Sequence, residues 1–398
     1  MRRTTLATLL ACLALAGCGS TRLITDTVPV PGVQSKTPRA GQKLGFPAVA
    51  TKNTTRVGGG DPIADAAGVA LAVYPSSVPG THPAAVTIAP IGDWQATIAA
   101  AALMAAPIKA PILLSGSSRL PSATADALKT LAPTGSGAIG GAQLIRVGDV
   151  PSPGGLRSAS VSGSDPYALA AELDRFASAA RGNTSANVVI ASADDAAYAM
   201  PAAGWAAESG DPVLFVNHSG VPQATRQALL SHRSPHIYAL GPSTVIPERV
   251  LAQLHRYGSV KRVGAANPAA NSVAFAEYRD PPCVFPQPCA HVPGSFGWAI
   301  RSPGHGYVVI NAGRPLDAAA AAPLSGSGDY GPELLVDSAA TLPPSVLNYF
   351  LNYATPGYTQ EGPTAAVYNH GWLIGDQRSI SDALQAEMDR LLEAVPQK

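Results

Sequence analysis

The chain has 398 residues, 46% of them hydrophobic and only 13% charged, which supplies core for two or three packed domains and excludes general disorder. Its formal charge is +1; with Arg2 and Arg3 set aside, 25 basic residues face 26 acidic ones, and from residue 55 onward 20 face 25. So mildly acidic a body has no nucleic-acid footprint, and an anionic ligand would have to be held by local geometry rather than by net field.

The first element is a targeting segment. Arg2 and Arg3 precede the apolar run "LATLLACLALAG", and Leu15-Ala16-Gly17-Cys18 follows. That tetrapeptide resembles the lipobox of bacterial lipoproteins, which implies a signal peptide over 1–17 and a lipid on Cys18. A chain so modified is anchored to a membrane rather than spanning it, and no other stretch approaches the roughly 18 apolar residues of a span. Residues 18–54 are rich in Pro, Gly, Ser and Thr without apolar periodicity and suit a flexible tether. Cys283 and Cys289, in the Pro-rich run "PPCVFPQPCAHVPG", suit a local disulfide in an exported protein; a metal reading with His291 falls short of four ligands.

Beyond residue 54 the chain repeats itself. "RVGGGDPIADAA", "SVSGSDPYALAA" and "RVGAANPAANSV" open three units, and in each an Asp or Asn before Pro predicts a capped helix start. An apolar run follows, "AVTIAP", "NVVIAS" or "YVVINAG", then Asp93, Asp195 or Asp317 at the head of an Ala-rich stretch. "PILLS", "PVLFV" and "ELLVD" come next, and then Leu/Val-Pro helices with Pro121, Pro222 and Pro343 in register. Third strands ending in glycine turns are expected around Gly140-Gly141, Gly241 and Gly375, followed by a last helix in units two and three only. Strands that are apolar throughout are buried on both faces, which implies parallel sheets covered by helices. The units are expected over 55–156, 157–260 and 261–398, the third carrying the Cys insertion.

"APILLS", "RLPSATADAL" and Gly140-Gly141 carry a resemblance to the cell wall binding repeat, type two, of Gram-positive surface proteins. The repeats depart from that pattern where Pro62, Pro166 and Pro268 replace an Arg, where Asn267 replaces an Asp, and where units two and three lack the double glycine. The resemblance implies an α/β fold of three tandem Rossmann-like modules with small parallel sheets in a pseudo-threefold arrangement. It also implies non-covalent attachment to a cell-wall polysaccharide or secondary polymer, and that Asp93, Asp195 and Asp317 stand where the family has its Asp.

The three aspartates fall after a parallel strand and at a helix start, where open α/β sheets bind ligands; the competing role is a helix cap. Trp94, Trp205, Trp298 and Trp372 are candidates for stacking on a sugar, although Trp94 and Trp205 lie in or beside helical runs, which suits module interfaces. "GSGAIG" from Gly135 spells GxGxxG but follows a helix instead of a strand, so no dinucleotide is expected, nor any other cofactor. His232 and His236 are separated by Pro235 and do not share a helical face, and His218 and His370 fall in loops. With no HExxH, Walker or GxSxG motif, the expectation is a non-catalytic lipoprotein on the outer face of the cell membrane, joined to the wall. The alternative is the solute-binding lipoprotein of a transporter, which should show two hinged lobes.

Overall fold

A computed structural model describes residues 48–282, 294–327, 331–358 and 367–396. The segment 1–47 with Cys18, and the pair Cys283 and Cys289 with His291, lie outside the described residues. Among the described residues no helix is long and apolar enough to cross a membrane.

Strands β1 (Ala48–Ala50) and β2 (Thr54–Val57) form an antiparallel pair and lead into helix α1 (Pro62–Val73). The first sheet holds β3 (Val86–Pro90), β4 (Ile112–Ser115), β5 (Leu144–Val147) and β6 (Ser158–Val161), with helices α2 (Trp94–Ala100) and α3 (Ser122–Leu131) between strands. Helix α4 (Pro166–Arg181) leads to a second sheet of β7 (Asn187–Ser192), β8 (Val213–Val216), β9 (His236–Leu240) and β10 (Ser259–Val263). Its helices are α5 (Ala196–Ala199), α6 (Pro201–Ser209), α7 (Gln223–Ser231) and α8 (Glu248–Leu254). After α9 (Pro268–Glu277), the third sheet contains β11 (Gly306–Asn311), β12 (Glu333–Val336) and β14 (His370–Ile374), with α10 (Pro315–Ser325), α11 (Pro344–Tyr349) and α12 (Asp382–Leu391). The two-residue strands β13 (Gly357–Tyr358) and β15 (Val395–Pro396) pair separately.

The capped helix starts form as the Asp/Asn-Pro pattern predicts. Asp61 accepts from the amides of Ile63 and Ala64, Asp165 from Ala168 and Asn267 from Ala270, at 2.8 to 3.0 Å. The apolar runs are parallel strands, and β4, β7 and β8 are buried at every position. The fold class is therefore α/β, built from three modules with small parallel sheets.

The sheets are not cut where the repeats are. The strand orders are β4-β3-β5-β6, β10-β9-β7-β8 and β1-β2-β14-β11-β12. Each repeat's opening strand thus completes the sheet of another repeat: β6 joins the first sheet, β10 the second, and β2 crosses back to the third. Three such exchanges close the modules into a ring. The joints are equivalent: the glycine after the third strand donates its N–H to the valine of the incoming strand, Gly148 to Val161 at 2.8 Å, Gly241 to Val263 at 2.9 Å and Gly375 to Val57 at 3.2 Å. At two joints an arginine on the incoming strand clasps the same glycine, Arg56 Nη1 on Gly375 O at 3.1 Å and Arg262 Nη1 on Gly241 O at 2.8 Å. At the other, Ser160 stands opposite Arg146 of the neighbouring strand, and Arg146 holds Val150 O instead.

Two expectations are corrected here. Gly140-Gly141 precedes the third strand of unit one, and the strand-ending glycine is Gly148, because "LIRV" is itself the strand. The end of the expected tether is built into the third sheet. Ala48–Ala50 pair with β2, and Thr51 and Asn53 bond Asp389 of α12 at 2.5 and 2.6 Å.

The core runs through all three modules. Helices α2, α6 and α10, one from each, pack on one another, and their alanines Ala99, Ala100, Ala203, Ala206, Ala319 and Ala320 are all buried. Methyl side chains let the backbones approach closely. A Cβ added at Gly204 would lie 2.7 Å from Ser325 Oγ, and one at Gly326 would lie 2.6 Å from Ala207 O.

Candidate functional site

At the carboxyl ends of the strands each module presents its strand-to-helix turn, and the three turns differ. In the second module, Asp194 and Asp195 follow β7, and Asn217 and His218 follow β8. Asp194 Oδ2 accepts from the His218 backbone N–H at 2.6 Å and lies 3.3 Å from His218 Nδ1. Arg249 of α8 reaches His218 O at 2.5 Å, and Asn217 Nδ2 meets the hydroxyl of Tyr167 on α4 at 3.2 Å. Asp195 occupies the N-cap position of α5, yet its side chain makes no cap hydrogen bond. The result is a shelf of carboxylate, imidazole, amide and phenol groups, of which Asp194 and His218 are exposed and Asp195, Asn217 and Tyr167 half-buried. Such a surface can accept hydrogen bonds from, and donate them to, vicinal hydroxyls.

In the first module Asp93 caps α2, accepting from Ala96 N at 2.9 Å. Burial pushes its carboxyl above the usual range, opposed by the amides of Ala96 and Gln95. Its neighbours stitch modules one and two: Gln95 Nε2 donates to Ala193 O at 3.3 Å, and Trp94 meets Phe215 edge-on at 5.8 Å. Removing the cap by Asp93→Ala is expected to cost about 1 kcal/mol, read as a lower urea midpoint with unchanged slope.

The third module departs from expectation. Counting three residues past the strand, as for Asp93 and Asp195, reaches Arg314, not Asp317. Asp317 lies one helical turn further on, fully buried and paired with Arg314. It is a packing residue and offers no carboxylate to a ligand. Arg314 also binds Asp65 of α1 at 2.5 Å and Ser379 Oγ at 2.8 Å. Asp65 and Arg314 escaped the sequence reading. The signal available was Asp65 standing at the repeat position of Asn271: both bond the loop before their helix, to Gly59 N at 2.7 Å and Ala265 N at 3.2 Å.

Trp205 is also corrected. It is 2% exposed, its Nε1 bonds Asp211 at 2.8 Å, and its ring packs on Phe296 and Trp298 at 5.1 and 5.4 Å. No sugar can stack on it. Trp298 and Trp372 are half-buried. His232 is buried between Asp174 and Ser185 O, at 2.7 and 2.8 Å, away from His236, which bonds Ser259. The glycines of "GSGAIG" lead through a short turn to β5, not into a helix, so they form no pyrophosphate cradle. Among the described residues no group of three or more His, Cys, Asp or Glu could hold a metal ion.

Residues 160–251 match the family Cell wall binding domain 2 (CWB2). Among solved structures the chain is similar to Cwp8 from Clostridium difficile, at 17% identity and a TM-score of 0.61, over 86% of this chain and 53% of that one. It is similar to Cwp6 from the same organism at 15% identity and a TM-score of 0.61, over 85% and 50%. The chain thus spans about half the length of those proteins, and at these identities the likeness is one of fold. No curated protein matches the sequence. The match begins in the exchanged strand β6 and ends within α8, so it embraces the second repeat with its shelf. By that match, the second repeat of this chain is similar to the CWB2 family.

Proposed function

We propose that the chain is a non-catalytic envelope protein that holds a cell-wall polysaccharide or secondary polymer on its ring of modules, with the lipidated Cys18 tying it to the outer face of the membrane. The carrying observation is the CWB2 match of residues 160–251, which embraces the polar shelf of Asp194, Asp195, Asn217 and His218. Asp195 supports this reading because it spends no hydrogen bond on its helix, leaving both oxygens for hydroxyl donors. The shelf is polar, as suits a hydroxyl-rich polymer. A single ring of three sheets does not favour the two-lobed transporter alternative.

The double substitution Asp194→Asn with Asp195→Asn is expected to weaken retention on isolated cell walls about tenfold, the worth of one charged hydrogen bond of about 1.5 kcal/mol. Its circular dichroism and urea midpoint should match those of the parent chain. Undiminished retention would remove the shelf from the binding surface.

A further inference from the structure

The joint between modules three and one differs from the other two in its charges. Asp65 on α1 and Asp317 on α10 are both 0% exposed, and both rest on one guanidinium, that of Arg314. Two ionised carboxylates would leave a net negative charge inside an interface between modules, where water cannot screen it. A single proton removes that excess, and the protonated carboxyl can then hydrogen-bond its neighbour. We propose that this joint is a proton-operated latch: one proton shared by Asp65 and Asp317 holds the ring shut against Arg314, and its loss loosens the contact between the third and first modules.

The other charged groups nearby do not compensate. Asp61, on the loop before α1, adds further negative field to both carboxyls. Asp376 and Arg378, on the turn after β14, pair with each other at 2.7 Å. Arg56 of β2 is taken by Gly375 O, Ser381 O and Gln385. Helix α2 and strand β4 carry no charged residue, and Asp126 and Lys129 of α3 are exposed. Glu333 lies against the opposite end of α10, where Gly204 meets Ser325, and Glu208 follows the Ala207 that meets Gly326 there.

Burial, and for Asp65 repulsion from Asp317, push both carboxyls upward, Asp65 to about 7 and Asp317 to about 6, from an ordinary 3.8. Both values are raised, so the folded chain keeps a proton that the unfolded chain has lost. The resulting stability is complete below the ordinary value and disappears as pH rises through 6 to 7. The repeat supplies its own reference: Asn271, in the position of Asp65, makes the same loop bond with no proton to lose.

The test is thermal unfolding of the full chain and of Asp65→Asn and Asp317→Asn at pH 5.5 and 8. The parent melting temperature should fall by about 5 °C between the two, and the fall should shrink to about 1 °C in either variant. Unfolding of the parent chain at pH 6 should also release about one proton more than unfolding of either variant. A parent fall that persists undiminished in both variants, or equal proton release by parent and variants, overturns the latch.

Discussion

Arg314→Met is expected to destabilise the chain by about 3 to 5 kcal/mol at pH 8. The guanidinium is the one cation shared by Asp65 and Asp317, and it also ties Ser379, so it connects the helices of modules one and three with the turn after β14. Methionine fills much of the same space and removes the charge, leaving two buried carboxylates without a counter-ion. Below pH 5 both can protonate, and the loss should then be much smaller. Urea unfolding at pH 8 and pH 5 separates this from simple loss of packing, which would be equal at both. A variant as stable as the parent chain at pH 8 would show that Arg314 contributes nothing to closing the ring.

A second large effect is expected at the exchanged strands. Gly264→Ala places a Cβ 2.5 Å from the carbonyl carbon of Gly241, and Gly58→Ala places one 2.7 Å from that of Gly375. Both partners are backbone atoms of the turn into which the incoming strand is clamped, so neither can rotate away. Each substitution should cost about 1 to 3 kcal/mol and fray the last residues of β10 or β2, read as faster amide exchange at Gly241 or Gly375. The remaining joint supplies the control. Ser162 stands in the same position after β6, already carries a side chain and is exposed, so Ser162→Ala should change stability by less than about 0.5 kcal/mol. Equal effects at Gly264 and Ser162 would mean that the close approach of Gly264 to Gly241 does not set the cost.

What could be read from the sequence followed from periodicity and capping. "NVVIAS" and "PVLFV" were legible as buried parallel strands because they are apolar at every position, and Asp165-Pro166 as a helix start because cap and proline chemistry are local. The exchanged strands were not legible, because "TTRV", "SASV" and "SVKRV" are short and polar, and which sheet takes them is decided by contacts far along the chain. The same reason hid the latch. Asp65 and Arg314 are 249 residues apart, and no local pattern distinguishes a buried aspartate in the first turn of a helix from a solvated one. At Asp317 the repeat misleads, because an Asp shared between repeats need not share a position, and the strand end puts Arg314 there. For Trp205 the sequence offers both stacking and a module interface, because an Ala-rich helix buried on every side gives no sign of which face a single indole occupies; its burial fits the interface.

The measurement that bears most directly on wall binding is sedimentation of the purified chain with isolated walls of a high-GC Gram-positive bacterium, before and after their secondary polymers are stripped. The chain should pellet with intact walls, remain in the supernatant with stripped ones, and be displaced by the soluble polymer. A chain that stays in solution with intact walls, or pellets equally with stripped ones, would contradict polymer binding by the ring.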